Sequence, residues 1–326
     1  MNKTFIYHGE GQQPEWNPSV ECIRLGETSY QKLSYPLSLL RANAGKLGQS
    51  TTGHSVILQN AITAESAQNI IDQFEARPKY AVSVSGYPDD EKVGSQRANA
   101  WATDLAEVLN PLFSHAADLP NFSGDGRSLH YGWDTGDRNT PPIDAPFSTE
   151  NTDYSLIGTT PWMRFMKYSS NESKTPRHVP HFDAPYFCKE EQYITLYSWV
   201  LYLNDLKEGD GGRLQFIDDG YTNIHEQDRP TEAFSDWREM ADPGNVIYSL
   251  APKRGTLIIF PHWVCHQVEN FVGDVRYMIR GDVAYSINPR KVNHLQRLID
   301  TARETGRDVT DLSDEDFFKS LTAPPA

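Results

Sequence analysis

The sequence predicts a mainly β core with flanking helices. Three observations predict it. From Trp162 to Ile287, short runs rich in Val, Ile, Tyr, Phe and Trp alternate with turn signals, at the spacing of an all-β sandwich or barrel. On either side, apolar residues recur instead at helical spacing, after Thr63 and again after Asn288. The chain has 326 residues, enough to bury a full core.

Taken in order, residues 1–50 are mixed and carry no clear period. Residues 43–53 (NAGKLGQSTTG) read as a loop, and His54 opens a short strand, HSVIL. Thr63 is an N-cap, with Glu65 in the first turn where the helix dipole favours negative charge. Ala67, Ile70, Ile71 and Phe74 make that helix's apolar stripe. A second helix is expected over about 99–113, with Trp101, Leu105, Val108 and Leu109 on one face and Asn110-Pro111 ending it. Residues 117–160 are rich in Asp, Gly, Pro, Asn and Ser and read as a long irregular excursion. Strands are expected at Met163–Tyr168, Tyr193–Leu203, Arg213–Ile217, Val246–Leu250, Thr256–Phe260, Gln267–Phe271 and Arg276–Tyr285. Asn288 then caps a C-terminal helix with Pro289 in its first position, Gly306 stops it, and Ser313 opens a last short one.

Bulk properties narrow the function. The formal charge of −14 argues against nucleic acid and anionic membrane partners, which need a basic face. Three widely spaced cysteines, Cys22, Cys188 and Cys265, form neither a disulfide framework nor a CxxC zinc pattern, which fits a reducing compartment. The first residues hold no apolar signal region, and no run approaches the ~20 apolar residues of a membrane span. The expected location is the cytoplasm. Oligomeric state is not legible.

One stretch carries chemistry: R-H-V-P-H-F-D-A-P, residues 177–185. On a strand, residues i and i+2 face the same side, so His181 and Asp183 can present an imidazole and a carboxylate to one point. Phe182 would face the opposite way. A third ligand must come from elsewhere, and P-H-W-V-C-H-Q-V, residues 261–268, offers His262 and His266. Two histidines and one carboxylate on one face of a metal leave its other positions open, as in non-haem Fe(II) oxygenases. An isolated HxD has no such role in most proteins, so the surrounding sequence decides.

Residues 162–285 resemble the catalytic domain of prolyl 4-hydroxylase-like Fe(II)/2-oxoglutarate-dependent dioxygenases. R-F-M-K-Y-S-S-N precedes the HxD, and V-L-Y-L-N-D follows it. E-G-D-G-G-R-L-Q-F resembles the family's Gly-Gly hairpin, and P-K-R-G-T-L-I-I-F leads into the distal histidine. H-Q-V-E-N-F-V-G-D-V-R then resembles the family's distal histidine with a basic residue ten positions on. Residues 218–245 are longer than a simple hairpin needs.

The resemblance implies a double-stranded β-helix (jelly-roll) core. It divides the chain into an N-terminal extension (1–53), a helical support region with a long loop (54–160), the catalytic core (161–287) and C-terminal helices (288–326). It selects His266 over His262, and implies that His181, Asp183 and His266 hold Fe(II). Arg276 is implied to pair with 2-oxoglutarate, since a planar guanidinium matches a carboxylate. Tyr168 and Tyr202 fall at positions that help hold the co-substrate, though aromatic packing would also explain them. Arg280, on the same side of a regular strand as Arg276, reaches either the co-substrate or an anionic substrate, or makes a structural ion pair. His262, His178 and Arg177 are candidates for the mouth of the site. Trp199, Trp263, Phe260 and Cys265 read as core.

The implied activity is hydroxylation of an unactivated C–H bond, using O2 and coupled to decarboxylation of 2-oxoglutarate. With Asp183 present, rather than the small residue of related halogenases, hydroxylation is the expected outcome. The expected substrate is a peptide, with proline the family default, or an amino-acid-like small molecule. Trp133, Asp134, Arg138 and Tyr154 suggest a polar, aromatic-lined cover. Two rivals stand beside this: a metal-free jelly-roll binding module, and a cupin-like metalloenzyme that uses no 2-oxoglutarate.

Overall fold

A computed structural model describes residues 18–36, 52–76, 95–118, 152–170, 178–181, 183, 187–188, 193–217, 240–262 and 264–289. Twelve strands and two α-helices follow one another along these residues: β1 (Ser29–Pro36), β2 (Thr52–Gln59), α1 (Ala64–Ala76), β3 (Ser95–Trp101), α2 (Thr103–Leu109), β4 (Thr152–Tyr168), β5 (His178–His181), β6 (Phe187–Cys188), β7 (Tyr193–Tyr202), β8 (Leu214–Ile217), β9 (Val246–Leu250), β10 (Leu257–Pro261), β11 (His266–Val268) and β12 (Arg276–Pro289). A 3-10 segment, Asn110–Asp118, continues α2. Among the described residues no helix is long and apolar enough to cross a membrane.

The strands form two antiparallel sheets, the arrangement of a jelly roll. The larger runs β1-β2-β10-β7-β12-β4-β3, with β6 beside β7; the smaller runs β5-β11-β8-β9. The larger sheet is covered on both faces, which explains why W-V-L-Y-L, residues 199–203, reads as an unbroken apolar run. Successive side chains go to opposite faces. Trp199, Leu201, Val56, Leu58 and Ile279 pack toward Ile70 and Phe74 of α1 and toward Leu105 and Phe113. Val200, Tyr202, Ile57, Ile258 and Met278 face the smaller sheet, where Leu214, Phe216 and Leu250 meet them. Helix α1 begins as its sequence predicts: the Thr63 hydroxyl accepts the Ser66 backbone N–H at 3.1 Å.

Three expectations are corrected. Residues 99–101 are strand, because β3 pairs along β4 from Ser95↔Tyr168 to Trp101↔Trp162, and helix starts only at Thr103. Residues 152–160 are strand, not loop: β4 pairs with the far end of β12, with register shifts that absorb the turn-like residues. Asn288 and Pro289 end β12 instead of opening a helix; Pro289, at the terminus of the strand, has no interior ladder N–H to supply. In the N-terminal region, where the sequence shows no period, β1 pairs along all of β2. The C-terminal helices and the residues Phe182, Arg177, Trp133, Asp134, Arg138 and Trp263 lie outside the described residues.

The register of β12 against β7 is fixed by a close approach. Gly281 lies opposite Trp199, and a Cβ there would sit 2.6 Å from the indole ring. The indole is itself pinned, donating its N–H to the Thr159 hydroxyl at 2.8 Å. Gly281→Ala is expected to lower stability by about 1–3 kcal/mol, as overpacking does. Urea unfolding checks this; an unchanged midpoint would mean that the Trp199 contact does not pin the register.

Candidate active site

The two sheets enclose an open cleft of about 580 Å³. Its floor is the inner face of β4, β12 and β7, and cross-strand pairing arranges that floor in rungs. Tyr168 lies opposite Arg276. Next come Met166, Met278 and Tyr202, then Arg164, Arg280 and Val200, then Asp282 and Ser198. The alternation of β12 does this: Arg276, Met278 and Arg280 all line the cleft.

The opposite wall carries the histidines. Strands β5 and β11 pair with His181 directly opposite His266, which brings the imidazole centroids to 4.3 Å. Asp183 lies just past the end of β5, not within a strand as its HxD spacing suggested. A backbone bond from its N–H to the His262 carbonyl, at 3.2 Å, turns it inward. One ligand atom from each of His181, Asp183 and His266 lies within 4.8 Å of the others. His266 Nε2 is 3.6 Å from Asp183 Oδ2, and His181 Nε2 is 3.9 Å from Oδ1. These distances are too long for hydrogen bonds. The donors converge without bonding one another.

The far nitrogens explain why. His181 Nδ1 lies 2.8 Å from the Val179 carbonyl, and His266 Nδ1 lies 3.0 Å from the Val264 carbonyl. A carbonyl only accepts, so each Nδ1 carries the proton and each Nε2 turns a lone pair to the centre. Burial, with the neighbouring His181, pushes the His266 pKa down to about 3, so its imidazole is neutral at physiological pH. Burial works to raise the Asp183 pKa, but adjacent Arg280, followed by His266 and His181, outweighs it and holds the carboxyl well below its usual value. Two imidazoles that turn Nε2 to the centre and an ionised carboxylate are the donor set a divalent cation takes.

Asp183 is held from both sides. The Ser198 hydroxyl donates to Oδ2 at 2.5 Å, and Arg280 Nη2 lies 2.5 Å from Oδ1. His262, the histidine not chosen, is 1% exposed and lies behind the site, its Nε2 3.2 Å from Asp282 Oδ1.

Arg276 occupies the other end of the cleft. It is 1% exposed, with its guanidinium 4.5 Å over the Tyr168 ring and 5.6 Å from that of Phe271. Nη1 donates to the Gly212 carbonyl at 2.6 Å, and Nε has no partner among the described residues. Burial disfavours this charge, and the tyrosines Tyr168 and Tyr202 only offset it. A buried cation that, among the described residues, faces two phenols and no carboxylate fits an anionic ligand. Burial pushes the Tyr202 pKa up to about 12, so its phenol keeps its proton and can donate. The Tyr168 hydroxyl lies 3.1 Å from His178 Nε2, placing His178 at the cleft wall.

Residues 163–281 match the 2OG-Fe(II) oxygenase superfamily. That segment is an oxygenase domain of this superfamily. The chemistry is that of a dioxygenase using Fe(II), 2-oxoglutarate and O2, and the converging donors and buried cation of the oxygenase cleft suit those ligands. Curated proteins offer no match to the sequence. Solved structures similar to the chain include a viral collagen prolyl hydroxylase from Paramecium Bursaria Chlorella virus-1, at 11% identity over 72% of this chain and 96% of that one, TM-score 0.35. A Pseudomonas putida prolyl-4-hydroxylase matches at 17% identity over 79% and 92%, TM-score 0.33. HygX from Streptomyces hygroscopicus, with nickel and 2-oxoglutarate bound, matches at 10% identity over 76% and 86%, TM-score 0.36.

Sequence reasoning missed Ser198 and Arg164. Both were findable, since Ser198 precedes Val200 and Tyr202, and Arg164 precedes Met166 and Tyr168, at the same two-residue spacing. The Gly212 carbonyl had no side-chain signal. Gly212 itself has φ +69°, and a Cβ there would lie 2.9 Å from Arg276 Nη1. Gly212→Ala is expected to cost about 1–3 kcal/mol, through backbone strain and displacement of the guanidinium. Chemical denaturation reads this; a stability equal to that of the parent would show that the turn and Arg276 rearrange freely.

Proposed function

We propose that the protein hydroxylates an unactivated C–H bond of a peptide or amino-acid-like substrate, with His181, Asp183 and His266 holding Fe(II) and Arg276 binding the distal carboxylate of 2-oxoglutarate. The observation that carries this reading is a pairing within one cleft: three donors converge at one end, and at the other a buried guanidinium lacks a counter-anion among the described residues. Residues 161–287 would be the catalytic core.

Fe(II) with 2-oxoglutarate supplies the oxidising chemistry when bound. The chain's own residues do the rest. Val179 and Val264 carbonyls fix the imidazole tautomers. Ser198 and Arg280 hold the Asp183 carboxylate at one rotation. Arg276 offers its guanidinium to a carboxylate, and the Tyr202 phenol, and that of Tyr168, lie beside it to donate hydrogen bonds. Met166, Met278, Val200, Leu214 and Phe260 line the space between and exclude water, which strengthens each of these polar contacts.

An anaerobic visible titration tests the assignment. Apoprotein given Fe(II) and then 2-oxoglutarate is expected to develop a weak charge-transfer band that needs both. Asp183→Ala should abolish it through loss of metal. Arg276→Ala should shift the 2-oxoglutarate titration by about a hundredfold, the scale on which losing a buried charge partner acts. No band, with no metal retained, would return the fold to a binding scaffold. A band unchanged by both substitutions would remove these residues from the site.

A further inference from the structure

Asp183 is the least anchored of the three converging donors. His181 and His266 lie opposite each other in the ladder of β5 and β11. Asp183 lies past the end of β5, and among the described residues its backbone has one hydrogen bond, from its N–H to the His262 carbonyl at 3.2 Å. The aim of its carboxylate therefore rests on side chains. The Ser198 hydroxyl donates to Oδ2 at 2.5 Å, and a hydroxyl has a single proton to give.

A second carboxylate competes for that proton. Asp282 is the direct cross-strand partner of Ser198, and its Oδ1 lies 3.5 Å from the same hydroxyl oxygen. Burial works against the Asp282 charge, but the hydrogen bond from His262, with Arg280 beyond it, outweighs burial and holds the carboxyl below its usual value. Asp282 is thus a charged acceptor, as Asp183 is.

His262 stands between the two acceptors. Its N–H donates to the Leu196 carbonyl on β7 at 3.0 Å, its carbonyl holds the Asp183 backbone, and its Nε2 lies 3.2 Å from Asp282 Oδ1. An ionised carboxylate only accepts, so Nε2 carries the proton and engages the oxygen that Ser198 could otherwise reach. As packing alone the ring is a poor choice. Its side chain is fully buried, and Nδ1 has no hydrogen-bond partner among the described residues. A buried polar atom left unsatisfied costs stability, so an apolar side chain would fill this space better. The bond from Nε2 is what the imidazole adds. Arg280 Nη2 donates to the Ser198 oxygen at 3.3 Å, so that oxygen accepts from Arg280 while its proton goes to Asp183.

We propose that His262 is a positioning residue for the metal-site carboxylate: by occupying Asp282 Oδ1, it leaves Asp183 as the acceptor of the Ser198 proton. This rests on the function proposed above, in which Asp183 helps to hold the metal. Without the imidazole, the Ser198 hydroxyl turns to Asp282, and Asp183 Oδ2 loses its donor.

The test measures Co(II) affinity of the full chain by competition with a chromophoric chelator, without 2-oxoglutarate, and follows urea unfolding of each variant in parallel. His262→Leu is expected to weaken Co(II) binding about ten- to a hundredfold, the range for losing a partner that orients a ligand. His262→Gln, whose amide can donate to Asp282, should recover part of it. Two double variants separate aiming from mere support. In a Ser198→Ala background, His262→Leu should cost no further affinity, because the hydroxyl it directs is gone. Adding Asp282→Ala to His262→Leu should restore affinity toward the parent, because the rival acceptor is gone. A packing defect would instead add its loss in the first and deepen it in the second. Asp282→Ala alone should not weaken Co(II) binding, a prediction that stands even where His262→Leu fails to fold. Unchanged affinity in His262→Leu, additive losses with Ser198→Ala, or a loss from Asp282→Ala that His262→Leu deepens would each overturn the proposal while the metal site stands. If the parent binds no Co(II), or Asp183→Ala binds it equally well, the metal assignment itself falls and the proposal with it.

Discussion

The structure depends on one constraint: the central strands β7 and β12 are buried on both faces, so their two-residue period cannot slip. A shift by one residue would carry Arg276, Met278 and Arg280 to the helix side and bring Tyr277 and Ile279 into the cleft. Charged guanidinium groups would then lie among Ile70, Phe74 and Leu105 with no partner. That alternative is far costlier than the total stability of a domain this size can absorb. The helices therefore do more than cover the sheet. By demanding an apolar face, they force the polar machinery onto the other one.

This is also why the core was legible and its margins were not. In Y-S-W-V-L-Y and R-Y-M-I-R the side chains alternate between two buried environments, and each position states its face. The histidines were legible because their type and spacing are rare, and the resemblance then separated His266 from His262. Physics alone left those two open, and the structure shows how different they are: one faces the centre, the other is paired to Asp282 behind it. Residues 99–101 and 152–160 were misread because their state is set by partners far along the chain. Ser95–Trp101 is strand because β4 is beside it, and Thr152–Thr160 because the end of β12 is. Local propensity is weak against such pairing. The interactions of backbone carbonyls, such as that of Gly212 with Arg276, leave no trace in side-chain pattern at all.

The electrostatics of the site follow from burial. Three ionisable groups at its heart, Asp183, His266 and Arg276, are each at most 5% exposed. Desolvation pushes each toward its neutral form, and each is answered differently. His266 yields and stays neutral, which leaves a lone pair for a cation. Asp183 resists, because the positive charge of adjacent Arg280, followed by His266 and His181, outweighs burial. Arg276 keeps its charge because a guanidinium has almost no accessible neutral form, so the cost stays in the fold until an anion meets it. The same burial thus prepares one end for a cation and the other for an anion.

Asp183 joins the two sheets. It converges with the two histidines, yet the groups that fix it belong to the floor of the opposite sheet: Ser198 on β7 and Arg280 on β12. The histidines it works with belong to the smaller sheet, paired across β5 and β11. The centre therefore exists only where the two sheets are held at one separation, and neither sheet contains it alone. A carboxylate gripped by two donors from one wall, and flanked by two imidazoles from the other, needs little rearrangement to accept a cation between them. The rigidity required for that comes from the doubly buried strands, so the constraint that sets the register also sets the geometry of the chemistry.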